Sequence, residues 1–149
     1  KYNWKEQLDL LENNMKINWG MYDNIVMINS IHNIYPNEKE NVQNICKLAK
    51  EGCILIIKFL DWELIQKINK NTVVKDSSFV RIMKPEQKIT YYYSNIHTIP
   101  ITEHVYSTKN IKQMFHNWTV IFEDKKELKN TEATWENYQD CFKYICLQF

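Results

Sequence analysis

The sequence predicts a mixed α/β domain built around a parallel strand pair. Two continuous apolar runs, Tyr22–Ile31 and Cys53–Leu60, read as buried strands, the second broken only by Lys58. Between them, after Pro36, the residues Val42, Ile45, Cys46 and Ala49 form an apolar stripe at helical spacing across Asn37–Lys50. Gly52 follows in the place of a helix C-cap. Strand, helix, strand over this length is a βαβ unit. Its strands run parallel and its crossover is right-handed.

The remaining elements follow in order. Trp4, Leu8, Leu11 and Met15 give an amphipathic helix over 4–15. Asp61–Ile68 reads as a helix, and Phe79–Met83 with Lys88–Ser94 as strands of a small antiparallel excursion. Ser107 or Thr108 is the N-cap of a helix over Asn110–His116. Trp118–Glu123 and Phe142–Leu147 read as a closing pair of strands. At 149 residues, all of this fits one domain spanning 1–149.

Composition narrows the function classes. The net charge is +1, so no global field draws the chain onto nucleic acid, and RNA contact needs a local patch. No apolar stretch reaches the roughly 18 residues needed to span a bilayer, and no signal peptide is visible. Cys46, Cys53, Cys141 and Cys146 form no C-x-x-C pair and read as buried thiols of a reducing compartment. The chain starts at Lys1, not methionine, which reads as a processed piece, an isolated domain or a partial sequence. The two glycines stand far apart, so no glycine-rich phosphate or dinucleotide loop is present. The four histidines are scattered and assign no metal site.

In an open α/β sheet, ligands sit beyond the carboxyl ends of the strands. Asn29-Ser30-Ile31-His32-Asn33 occupies that place, although a lone histidine there also reads as a cap of the loop. The run Tyr91-Tyr92-Tyr93 puts Tyr91 and Tyr93 on one strand face, as core packing or as a base-stacking surface. Lys58 reads as an edge charge that snorkels, or as a phosphate contact. Lys125, Lys126 and Lys129 read as a solvated face that could touch RNA phosphates.

The segment Tyr22–Tyr35, YDNIVMINSIHNIY, resembles the strand F-D-[IV]-x-x-x-Q-F-[AS]-[IVL]-H-Y of mRNA cap guanine-N7 methyltransferases. It keeps Tyr22, Asp23, Ser30, Ile31 and His32, and departs from the pattern at Ile28, Asn29 and Asn33. Thr98–Glu123 resembles the family's proline, then T-E-[YF], a helix and a strand in the same order, with Pro100, Thr102 and Glu103 on its P-x-T-E pattern. Asp61, after the second apolar strand, matches the family's aspartate, and CFKYICLQF resembles its closing strand. In this order the chain is similar to the C-terminal half of the methyltransferase domain in the large subunit of poxvirus capping enzymes.

The resemblance implies a partial Rossmann-like, S-adenosylmethionine-dependent methyltransferase fold, its C-terminal half, with the antiparallel excursion inserted. It implies S-adenosyl-L-methionine as cofactor, with Ile28 and Asn29 beside it, and no metal. It implies that His32, Glu103, Asn33 and Tyr35 bind the cap guanine. The chemistry suits those residue types. Guanine offers two donors along its Watson–Crick edge, which a carboxylate such as Glu103 accepts together. His32 would donate to the guanine O6 or orient the base. Guanine N7 carries a lone pair and loses no proton on methylation, so alignment can do the work of catalysis.

The cofactor half of such a fold lies upstream of Lys1. The implied partners are therefore capped RNA and a further protein segment or subunit that completes the cofactor site, with no membrane. The implied location is the cytoplasm, or the host cytoplasm or virion of a virus. Two other readings stay open: a catalytically silent methyltransferase-like subunit that stimulates a capping partner, and a ribose 2′-O-methyltransferase, which Lys58 faintly echoes.

Overall fold

The computed structural model describes residues 20–68, 72–74, 78–83, 86–92, 100–128 and 140–149. The helix expected over 4–15, Tyr93 and Lys129 lie outside these residues. Strand β1 (Tyr22–Ile28) leads into a short 3-10 turn (Ile31–Ile34), helix α1 (Glu38–Leu48), strand β2 (Ala49–Leu60) and a one-turn helix α2 (Trp62–Ile65). Next come β3 (Thr72–Val74), β4 (Ser78–Met83), β5 (Lys88–Tyr92) and β6 (Ile101–His104). Helix α3 (Thr108–Met114) and strands β7 (Thr119–Glu123) and β8 (Phe142–Gln148) close the order.

The elements form two four-stranded sheets, ordered β1-β2-β8-β7 and β3-β4-β5-β6. As the sequence predicted, β1 and β2 are parallel neighbours joined by α1. The second sheet is antiparallel throughout and is the excursion. Its outer strands β3 and β6 are short.

One face of the first sheet holds the core. Cys53, Leu55, Ile57 and Phe59 alternate inward along β2, and Ile145 and Leu147 do so along β8. They pack against Val42 of α1, Ile111 of α3, and Phe115 and Trp118 beyond it. A second cluster joins Trp62, Leu64, Ile65, Ile89, Val105 and Cys141 beneath the excursion. The cysteines form no disulfide; Cys53 and Cys141 are buried as expected, whereas Cys46 and Cys146 are only half-buried, against the expectation.

Three expectations are corrected. First, β1 stops at Ile28 and is only partly buried, on one side. Ile25 and Met27 pack on the core, while Val26 is 56% and Ile28 58% exposed. β1 lies at the end of its sheet, and none of the described elements covers its outer face, so its apolar run does not mean burial. Second, Gly52 is not a helix cap. α1 ends at Leu48, and Gly52 sits inside β2 at φ +80°, where the register with β1 is irregular. A glycine adopts that left-handed backbone at no steric cost. Third, Lys58 lies on the inner strand β2, not at an edge. Its ammonium stands 5.5 and 5.7 Å from the Phe142 and Tyr144 ring centroids, a cation–π arrangement.

Asp61 ties the end of β2 to α2, α3 and β8. It is fully buried at the carboxyl end of β2, and its Oδ1 accepts from the Leu64 N–H at 3.0 Å, capping α2. Its Oδ2 accepts from the N–H and the hydroxyl of Thr108, the first residue of α3. The Lys143 ammonium, nearly buried on β8, lies 3.5 Å from Oδ1. Such a carboxylate is tolerable in the core because its oxygens are hydrogen-bonded and its charge is matched.

Candidate functional site

The site forms where the 3-10 turn meets β6. Asn29, at φ +51°, ends β1; asparagine visits that region more readily than most side chains. Ile31 and Ile34 then bury into the core and fix the turn, and Asn41 Nδ2 donates to the Ile34 carbonyl at 3.1 Å. In a 3-10 turn, residues three apart eclipse one another. Ile31 and Ile34 therefore share the inward side, and His32 and Tyr35 share another.

That second side grips the edge strand β6. His32 Nε2 lies 3.4 Å from Glu103 Oε1, with both side chains about a quarter exposed. The Tyr35 ring stacks on His104, with centroids 4.5 Å apart and planes 10° from parallel. Two consecutive residues of β6 thus meet two residues of the turn. Glu103 pairs across the ladder with Ile89, and His104 with Lys88, so the two β6 side chains leave opposite faces of their sheet.

Behind His104 lies a pocket of about 370 Å³ lined by Glu38, Gln87, His104, Tyr106, Asn110 and Gln113, with Met114. The Tyr106 ring meets His104 edge-on at 4.8 Å, and its hydroxyl donates to Glu38 Oε1 at 3.0 Å. Burial, reinforced by that hydrogen bond, pushes the Tyr106 phenol well up. Burial lowers the His104 pKa; Lys88 adds to this and Glu38 opposes it. His104 Nδ1 is buried without a hydrogen-bond partner.

Of the residues singled out in the sequence, the fold brings together His32, Glu103 and Tyr35. Asn33 and Asn29 face solvent nearby, Asn33 on the turn and Asn29 just before it. Ile28 is exposed at the end of β1. The side chains of Tyr91 and Tyr92 are not among those described. Lys126 lies 3.7 Å from Asp140. His104 was missed in the sequence, because its partner Tyr35 is distant along the chain; its only signal was a flat side chain where the resemblance has Tyr or Phe.

No protein-family model and no curated protein matches the chain. Solved structures do resemble it, two of them as follows. The PH0226 protein from Pyrococcus horikoshii OT3 aligns with a TM-score of 0.56 at 14% identity, over 97% of this chain and 64% of that one. A SAM-dependent methyltransferase from Methanosarcina mazei aligns with a TM-score of 0.57 at 13% identity, over 90% of this chain and 62% of that one. The chain thus spans less than two thirds of the length of either. At these identities the likeness is one of fold: the chain carries a partial Rossmann-like methyltransferase fold with an antiparallel excursion.

Proposed function

We propose that this chain is part of an S-adenosylmethionine-dependent mRNA cap guanine-N7 methyltransferase and forms its guanine-binding side. The observation that carries the reading is the 3.4 Å approach of His32 to Glu103, which belong to two separate motif matches. The fold shared with a SAM-dependent methyltransferase of Methanosarcina mazei supports it.

In this reading Glu103 accepts the two Watson–Crick donors of guanine, and His32 orients the base from the same edge. Tyr35 offers its ring for stacking, and Asn33 lies beside it. The chain then works by holding N7 in line, with no proton to remove.

S-adenosylmethionine supplies an electrophilic methyl group when bound. Ile28 and Asn29, exposed at the carboxyl end of β1, fit one apolar and one polar contact to it. A carboxylate for its ribose does not come from Asp61, which is buried and engaged by Leu64, Thr108 and Lys143. A further protein segment or subunit completes the cofactor site in this proposal. Capped RNA is the substrate partner, and the cytoplasm, of a host if the source is viral, is the place of action.

The departures at Ile28, Asn29 and Asn33, with the uncovered face of β1, favour a second reading: a silent subunit that stimulates a capping partner. Titration with the unmethylated cap dinucleotide GpppA and, separately, with S-adenosylmethionine tests the first. Micromolar cap binding that Glu103→Gln abolishes is expected, with weak or no cofactor binding by the chain alone. Absence of any cap binding overturns the proposal.

A further inference from the structure

We infer that His104 is a positioning residue that holds the Tyr35 ring as a fixed stacking surface for the cap base. The inference rests on the cap-binding reading above and adds to it His104, which stands where the resembled pattern has Tyr or Phe.

Four observations converge. The two rings are nearly parallel at 4.5 Å, so His104 occupies one face of Tyr35. Tyr35 is nonetheless 44% exposed, which leaves its other face open. His104 is itself backed by Tyr106, which is buried and tied through its hydroxyl to Glu38 at the start of α1. A chain of contacts, Glu38 to Tyr106 to His104 to Tyr35, therefore runs from the helix layer to the surface. Finally, Tyr35 belongs to the turn that carries His32, and its backbone N–H donates to the His32 carbonyl at 3.3 Å.

Among the described residues no group bonds His104 Nδ1, so its contact with Tyr35 is carried by the ring face. A buried polar nitrogen without a hydrogen bond costs stability, and an apolar ring of similar shape would avoid that cost. What His104 contributes is its flat face. Glu38, Lys88, Tyr35 and Tyr106 are the ionisable groups that act on or touch it. Burial and the cross-strand Lys88 favour its neutral form, which presents an aromatic plane without a charge facing the tyrosine.

A ring already ordered in the free protein spares the complex the cost of ordering it. Releasing it should weaken binding by roughly 3- to 10-fold, the usual effect of immobilising one side chain. The test is calorimetric titration of the 149-residue chain with GpppA, for the unaltered protein, His104→Ala, His104→Phe, Tyr35→Leu and Glu103→Gln. His104→Ala should raise Kd by that roughly 3- to 10-fold. His104→Phe, which keeps the plane and drops the nitrogens, should stay within about 2-fold of the unaltered chain. Tyr35→Leu, a surface change that leaves His104 in place, should cost about 5- to 100-fold as the stacking face is lost.

If Glu103→Gln loses binding while His104→Ala and Tyr35→Leu bind normally, the positioning role is overturned and the cap site stands. Loss in His104→Phe equal to that in His104→Ala also overturns it, because the nitrogens and not the plane would then matter. Should His104→Ala fail to fold, Tyr35→Leu and His104→Phe decide by the same criteria. Failure of the unaltered chain to bind GpppA overturns both the cap site and this inference.

Discussion

Thr108 presents both its backbone N–H and its hydroxyl to Oδ2 of Asp61, at 3.0 and 2.9 Å. This contact fastens the start of α3 to the end of β2. Oδ1 caps α2 and faces Lys143, so one carboxylate closes the junction of β2 and β8 with α2 and α3. Asp61→Ala leaves a buried lysine and several donors uncompensated, and should lower unfolding free energy by about 3–5 kcal/mol. Urea denaturation measures it, and a loss under about 1 kcal/mol would show that the junction is not needed.

Burial holds the His104 pKa below its ordinary 6.5. The unfolded chain then takes up the proton first, so the unfolded state binds more protons between the folded pKa and 6.5. The stability contributed by neutral His104 is present above pH 6.5 and is lost as pH falls through the folded value. The urea midpoint should drop from pH 7.5 to 5.5, and His104→Phe should make that drop smaller. Equal drops in the two proteins would contradict the direction of the shift.

Burial pushes the Cys141 thiol up to about 12, with Asp61 and Asp140 adding to it, and burial raises Cys53 as well. The thiolate is the reactive form. At pH 8 a disulfide reagent should modify the half-buried Cys46 and Cys146 first, and reach Cys53 and Cys141 only on unfolding. Rapid reaction of four thiols in the folded chain would refute this. Cys46 is expected to lag Cys146, since its sulfur accepts from the Trp118 indole N–H.

Val26 and Ile28 stand on the outer face of β1, with Tyr144 exposed on β8 of the same sheet. Exposed apolar groups on an end strand favour association. Val26→Thr with Ile28→Lys should change stability by no more than about 0.5 kcal/mol per site. The same pair should reduce self-association of the chain in sedimentation velocity. A stability loss above about 2 kcal/mol would mean that this face is covered in the folded chain, as for a core site.

What the sequence determined by itself is the parallel pair β1 and β2, the helix between them, the antiparallel β4–β5 hairpin and the β7–β8 pair. Each has a local cause: a run or stripe of apolar residues with its own period, closed by polar or turn residues. The N-cap was legible as Ser107 or Thr108, and the structure places it at Ser107, in a capping box with Asn110. His32 and Glu103 were both visible as separate motif residues, each within its own segment. Only the tertiary structure decided that they meet, since that needs the crossover and the excursion to bring a turn after β1 onto β6. It also decided which apolar runs are buried. Val26 and Ile28 read like core residues, yet burial depends on what packs against a face, and no period within β1 records that. Gly52 was misplaced for a related reason: a left-handed glycine serves a helix end and a strand irregularity alike, and the surrounding register chooses between them. His104 and Lys143 lay beyond the reach of the sequence. A lone histidine and a lysine in an apolar strand acquire their roles from Tyr35 and Asp61, partners supplied by distant parts of the chain.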